Sequence, residues 1–289
     1  MEATGRGARA DNGGARRSSS ARAPLGWVAI GVAAVFALPL WIMLVGSLRP
    51  LGLPPPASVE LLPTTFAFSN YEEAFRIVPL GRSAANSLLV AVVAVPVGVV
   101  VASWAGFAAV RLPRRQGLFV LVVAAAAALT PLVSLLVGRV AVWRILGLSD
   151  TPVPLMAAGL VGVTPLGVLA FAWAFHRLPG DLFDLASEMG LSPLRTWATV
   201  AMPLSWPVTA AVAALAFVTS WGSLIEPLVV LADERWFTLP LGLRSLAALD
   251  TPFRPLMLAG AVAATVPVVL AFVVLQRGLL RELDGERAA

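Results

Sequence analysis

Long apolar stretches dominate the chain, and the polar residues collect between them. Crossing about 30 Å of hydrocarbon takes about 20 mostly apolar residues in a helix. Six stretches meet that length: Pro24–Leu48, Ser83–Val110, Gln116–Gly138, Pro154–Phe175, Trp206–Leu231 and Pro255–Gln276. None shows the strict two-residue alternation of a membrane β-strand. In lipid the backbone must satisfy its own hydrogen bonds, so each stretch is expected to be a helix. The fold class that follows is an all-α integral membrane protein with six transmembrane helices.

Composition agrees with the pattern. Of 289 residues, 58% are hydrophobic and 13% charged, which leaves too little polar surface to cover a soluble monomer. The chain has no Cys, so disulfide and thiolate chemistry are excluded. All 21 basic residues are Arg, and 13 of them fall in segments that lie inside if the N-terminus is inside. Both termini are therefore expected in the cytoplasm. No basic run is interleaved with aromatics in an aqueous segment, so the net charge of +5 does not point to nucleic acid. The expected organisation is a disordered cytoplasmic tail at 1–23, a first transmembrane helix at 24–48 and an extracytoplasmic loop at 49–82. A five-helix core follows at 83–276 with a structured loop at 176–205, and a cytoplasmic C-terminal tail at 277–289. The tail and first span resemble a signal peptide, but the apolar run exceeds a normal h-region and five more spans follow, which favours an uncleaved anchor.

Two features inside the spans bear on function. Each span contains a Pro: Pro39, Pro96, Pro131, Pro165, Pro227 and Pro267. A Pro removes one helical hydrogen bond and kinks the helix, which can open a cavity or hinge. The second feature is Glu226, the one formal charge within the six stretches. A charge at membrane depth costs at least about 2.5 kcal/mol on insertion scales, so it should face a cavity or a partner. Ser220, Trp221, Ser223 and Glu226 are thus candidates for lining a solute path, Trp221 by stacking and the others by hydrogen bonding. The plainer alternative has Glu226 reaching the outer interface or pairing with an Arg of a partner subunit. His176 reads as a structural residue at the membrane border, and Trp27, Trp104 and Trp236 as an interfacial belt. No metal site is visible, since His, Cys and clustered acids are lacking in the spans.

The segment His176–Ser205 has structure written into it. Pro179-Gly180 marks a turn, and Asp181 can cap a helix start with Asp184 still in the first turns. Leu182, Leu185, Ala186 and Met189 form an apolar stripe at helical spacing, with Asp181, Asp184 and Glu188 as an acidic face beside it. Gly190 is a natural residue to end that helix. Ser192-Pro193 restarts one, and Leu194, Trp197, Ala198 and Ala201 form a second stripe before Pro203. The result is a compact docking element of two helices joined by a Gly hinge. An amphipathic helix lying on the membrane is the alternative, but anionic lipid would repel the acidic face.

This segment resembles the coupling loop of the permease subunits of bacterial ABC importers. The family pattern is Glu-Ala-Ala, three residues, Gly, nine residues, Ile, one residue, Leu-Pro. Here Asp184-Leu185-Ala186, Gly190, Val200 and Met202-Pro203 keep that spacing in full, and Met189 stands where the family often has Asp. Asn86-Ser87-Leu88, Ser220-Trp221, Thr238-Leu239-Pro240-Leu241-Gly242-Leu243 and Leu275-Gln276-Arg277 with Leu280-Arg281-Glu282-Leu283 are most similar to the carbohydrate, maltose-permease-type branch.

The resemblance implies a type I ABC importer permease fold with a cytoplasmic coupling helix between helices 4 and 5. It also implies a second permease subunit, usually as a heterodimer, two cytoplasmic ATPase subunits and an extracytoplasmic solute-binding protein. The chain has no Walker A sequence and no Lys, so no cofactor is expected in it and ATP is expected on the partner ATPase. The coupling residues so implied are Asp181, Asp184, Leu185, Ala186, Glu188, Gly190 and Pro203. The expected solute is a sugar or oligosaccharide, with an amino acid or polyamine as alternatives. An intramembrane hydrolase is a poor fit, with one His at a membrane border. A proton-coupled carrier using Glu226 is the remaining competitor, and it separates cleanly in an uptake assay. An importer loses uptake when its ATPase is removed or when Gly190→Pro breaks the hinge. A proton-coupled carrier keeps uptake without the ATPase and loses it on Glu226→Gln.

Overall fold

The computed structural model describes residues 22–54, 56–158 and 164–288. Residues 1–21 of the expected N-terminal tail lie outside the described residues, and every regular element among those described is a helix. The first expected span is helix α1 (Arg22–Ser47). The expected loop after it contains α2 (Ser69–Ile77), held against the end of α1. The buried Asn70 amide donates to the Ser47 carbonyl at 2.8 Å and the Arg49 carbonyl at 2.7 Å, and the Ser47 hydroxyl bonds the Tyr71 hydroxyl at 2.8 Å.

Helix α3 (Leu80–Arg111), of 32 residues, is the centre of the bundle. Its buried positions include Ser83, Ser87, Ala91, Ala94, Gly98, Ala102, Gly106 and Ala109, a small residue every three or four places. Lipid is as apolar as a Leu side chain, so helices in membranes are drawn together by close van der Waals packing rather than by leaving water, and small residues permit it. The other elements gather round this seam. They are α4 (Arg114–Leu129), α5 (Leu132–Ile145), α6 (Val153–Ala158) and α7 (Thr164–His176). Helix α8 (Gly180–Glu188) follows, then α9 (Pro193–Thr196), a π-helical turn at Trp197–Ala201 and α10 (Met202–Leu204). The chain ends with α11 (Trp206–Trp221), α12 (Ile225–Val230), α13 (Leu239–Ala247) and α14 (Arg254–Ala288).

The six expected spans differ in continuity. The first, second and sixth are the unbroken helices α1, α3 and α14, each long and apolar enough to cross a membrane. The third is two helices, α4 and α5, bent by 98° at Thr130-Pro131. Thr130 there has ψ 123°, the extended backbone that a following Pro favours. The fourth comprises α6 and α7, with 159–163 outside the described residues. The fifth breaks after Trp221 and resumes as α12. Pro39, Pro96 and Pro267 sit inside continuous helices, whereas Pro131 stands at the first break and Pro227 in the first turn of α12, just after the second. The expected C-terminal tail at 277–289 is, through Ala288, a continuation of α14.

Helix α7 packs closely on α3. A Cβ built on Gly106 would lie 2.8 Å from the Phe171 Cβ and 2.9 Å from the Ala172 backbone nitrogen. One on Gly167 would lie 2.9 Å from the Ala102 Cβ. Gly106→Val is therefore expected to force the two helices apart at a cost of about 1–3 kcal/mol, the usual range for overpacking. A thermal unfolding shift in detergent measures it, with Gly31→Ala as the comparison, since nothing lies within 4 Å of a Cβ there.

Candidate functional site

At one end of the bundle the docking element takes the expected bent form. Gly190 has φ +73°, and the turn closes with Leu191 N–H donating to the Ala186 carbonyl at 3.0 Å and Gly190 N–H to Ser187 at 2.9 Å. This paired closure needs a left-handed residue, which Gly adopts without a Cβ penalty. The Ser192 hydroxyl accepts from Arg195 N–H at 3.4 Å, and Pro193 occupies the first helical position. One expected cap is not formed. Helix α8 starts after Pro179 with no side-chain cap, and Asp181 lies in its first turn. From Ser205 the chain turns by 87° into α11. The π turn ahead of Pro203 carries a Met202 N–H to Trp197 carbonyl bond, the wider spacing of that helix type.

The apolar stripe of α8 is rotated from its expected place. The buried residues are Phe183 and Ala186, whereas Leu185 and Met189 are 54% and 71% exposed. Phe183 is the anchor. Its ring meets Phe107 edge-on at 6.0 Å, and the Arg111 guanidinium lies 5.3 Å over its face. Phe107 in turn meets Phe175 at 6.0 Å, and Phe175 stacks on Phe171 at 5.6 Å. Trp104 contacts both Phe107, at 6.0 Å, and Trp197, at 5.4 Å, so it packs within the bundle. One aromatic cluster thus fixes both docking helices to α3 and α7. Asp181, Asp184, Leu185, Glu188, Gly190 and Pro203 are left open, while Ala186 is buried. On α8 the open face has an acidic rim around two apolar side chains. In the second stripe Ala201 is buried and Trp197 partly so, but Leu194 and Ala198 are exposed.

A cavity of about 700 Å³ lies between the first half of α3 and the two helix breaks. Non-helical backbone at membrane depth is tolerated where it lines a cavity, and both breaks do so here. Ser220, Ser223 and Glu226 line it, with Thr130, Thr219 and Thr238. Trp221 does not. It is 6% exposed, stacks on Phe217 at 5.6 Å and donates its indole N–H to the Ala264 carbonyl at 3.1 Å, so it packs against α14. Glu226 forms an ion pair with Arg139, on α5 of the same chain. Of the alternatives for Glu226, an outer-interface position or an Arg of a partner subunit, neither is needed for its charge, since Arg139 of the same chain lies one residue beyond the third expected span. The α4–α5 bend is what brings Arg139 back to the cavity wall.

At the opposite end, Asn86 and Ser87 hold the segment between α12 and α13. The Asn86 amide donates to the carbonyls of Arg235 at 2.8 Å and Phe237 at 3.0 Å, and Ser87 Oγ accepts from Leu239 N–H at 2.8 Å. Asp150, at φ 61°, accepts from Ala232 N–H at 2.8 Å and Asp233 N–H at 2.7 Å. Asp is among the few side chains that tolerate this backbone region, because it can hydrogen-bond locally. The side-chain hydrogen bond from Arg235 holds the Asp233 carboxyl below the usual carboxylate range. What order it lends the segment is therefore present at neutral pH and fades only as pH falls through that lowered value.

The fold is thus a set of apolar helices, two of them broken beside a largely apolar cavity with a few polar groups, and a bent two-helix element at one end. The chain belongs to the family of binding-protein-dependent transport system inner membrane components, whose model matches residues 94–284. It is 27% identical over 244 residues to the trehalose transport system permease protein SugB of Mycobacterium tuberculosis, covering 81% of this chain and 88% of that protein. It is 31% identical over 223 residues to the osmoprotective compounds uptake permease protein GgtD of Synechocystis sp., covering 75% and 74%. Its fold matches a bacterial ABC transporter involved in import of the acidic polysaccharide alginate, with a TM-score of 0.71 at 19% identity, over 90% of this chain and 97% of that one. The protein is thus a multi-pass component of an inner-membrane transport system.

Phe183→Ala is expected to remove about 3–5 kcal/mol of packing from the α8 anchor. Hydrogen exchange at 180–190 should accelerate more than tenfold, as a local loss of that size allows, while exchange at 206–221 stays near the wild-type rate.

Proposed function

We propose that this chain is the permease subunit of an ATP-driven importer for a sugar or oligosaccharide. It would form half of the translocation path, with a second, non-identical permease forming the other half. Two cytoplasmic ATPase subunits supply the energy, and an extracytoplasmic binding protein delivers the solute. The observation that carries this reading is the docking element. Its spacing follows the coupling-loop pattern in full, and its open face is built from charged and apolar side chains that no other element covers among the described residues. The names of the relatives, from trehalose transport to alginate import, support a saccharide.

In this reading α8 and both termini lie in the cytoplasm, and the Asn86 and Asp150 clamps lie outside. ATPase closure pushes α8. The Phe183–Phe107–Phe175 cluster passes the displacement to α3 and α7, which form walls of the cavity. Closure then biases the bundle towards the state open to the outside, by binding that state better. Gly190 keeps the two docking helices at a fixed bend, so that they move as one body. Ser220, Ser223 and Glu226 line the path, and Trp221 supports it from behind.

The chain lacks Cys, so single thiols can be placed cleanly. Ser187→Cys and Glu188→Cys are expected to crosslink to a Cys in the ATPase groove, with a yield that changes on ATP binding. Labelling of either thiol by an impermeant reagent from outside the cell, or no crosslink to the ATPase, overturns the assignment.

A further inference from the structure

The cavity holds more polar chemistry than a passive wall needs. Arg139 and Glu226 have side chains 18% and 17% exposed, and both lie in the cavity lining. Two charges at membrane depth are costly and are kept there for a partner or a ligand. Thr238 gives a second, separate sign. It is 5% exposed and lines the cavity, yet its hydroxyl has no hydrogen-bond partner among the described residues. A buried polar group left unmatched is destabilising, so its presence points to a ligand that completes it.

We propose that the Arg139–Glu226 pair, with Ser220, Ser223 and Thr238, is a solute-binding site for a neutral polyhydroxylated molecule, and that it discriminates against anionic ones. This rests on the importer reading above and deepens it: the chain itself reads the solute, in addition to whatever a binding protein selects. The donor and acceptor pattern carries the class. Arg139 only donates and Glu226 only accepts. The hydroxyls of Thr130 and Thr219 donate to the Ala126 carbonyl at 2.9 Å and the Leu215 carbonyl at 2.9 Å, so they turn acceptor lone pairs to the cavity. Ser220, Ser223 and Thr238 can do either. Neighbouring hydroxyls on a polyol both give and take, and can bridge a guanidinium and a carboxylate at once. Val90, Leu136, Leu155 and Ile225 supply apolar wall for the C–H faces. The volume of about 700 Å³ falls within the range of small-molecule sites. An anion meets a guanidinium already neutralised, with Glu226 facing it at short range, and is repelled.

The test uses the assembled permease–ATPase complex in nanodiscs, without the soluble binding protein. The probes are radiolabelled trehalose, maltose and sucrose, with trehalose 6-phosphate as the anionic counterpart. Wild type should retain at least one neutral disaccharide and bind the phosphate at least about tenfold less well. Glu226→Gln should reverse that preference. Ser220→Ala with Ser223→Ala, which buries no unpaired charge, should weaken the neutral probe about tenfold, the size of lost hydrogen bonds to a ligand. The exchange Arg139→Glu with Glu226→Arg restores a bridge between α5 and α12 but relocates donor and acceptor, and it should not restore binding. The proposal is overturned if wild type retains no neutral disaccharide, if the serine pair leaves binding unchanged, or if the exchanged pair binds like wild type. The last result would make the pair a structural bridge. The importer reading is scored apart from this, by whether adding the binding protein stimulates ATP hydrolysis.

Discussion

The close contact of α3 with its neighbours is the constraint on which the rest depends. Within lipid there is no gain from burying one apolar side chain against another, so helices must approach until dispersion alone holds them. A seam of Ser, Ala and Gly along α3 allows that approach, and Gly106 and Gly167 allow it from both sides of the α3–α7 contact. Because α3 is unbroken over 32 residues, it is the rigid reference for everything else. The aromatic cluster is built at one end, the Asn86 and Ser87 clamp at the other, and the cavity between them.

Large and small residues are divided between two tasks. Small ones set the distance between helices in the middle of the bundle. Phe107, Phe171, Phe175 and Phe183 form one cluster where α3 and α7 meet α8. Aromatic packing of this kind is dense and resists deformation, so a push on α8 cannot be absorbed locally. A proposed coupling through α8 therefore has a material path, from Phe183 to the α3 and α7 walls of the cavity. The helix breaks give the opposite property. At Thr130-Pro131 and after Trp221 the backbone leaves the helix, and Thr130, Ser220, Ser223 and Glu226 beside the breaks line the cavity.

Much of this was legible in the chain itself. Apolar length gave the three unbroken spans, and the Gly190 and Ser192-Pro193 signals gave the bend of the docking element, because both are local rules. The Asn86-Ser87 pair is part of the resemblance pattern, and the clamp it makes on the Leu239 segment is its physical content. The small-residue period in α3 is local too, with Ser, Ala or Gly at every third or fourth position of the second span. Other features had no local signal. The Asp150 clamp joins residues more than 80 positions apart. The rotation of the α8 stripe towards Phe183 depends on Phe107 and Arg111, which lie far away in sequence.

The sequence by itself determined that the chain is a multi-pass membrane protein, and where the two-helix element around Gly190 bends. These follow from hydropathy over about 20 residues and from turn chemistry, which act within a few residues of their cause. Tertiary structure decided which prolines break a helix, that Trp221 supports α14 and leaves the cavity free, and that Glu226 finds its partner in Arg139. Those outcomes depend on which surfaces meet, and surfaces meet only after the helices have packed.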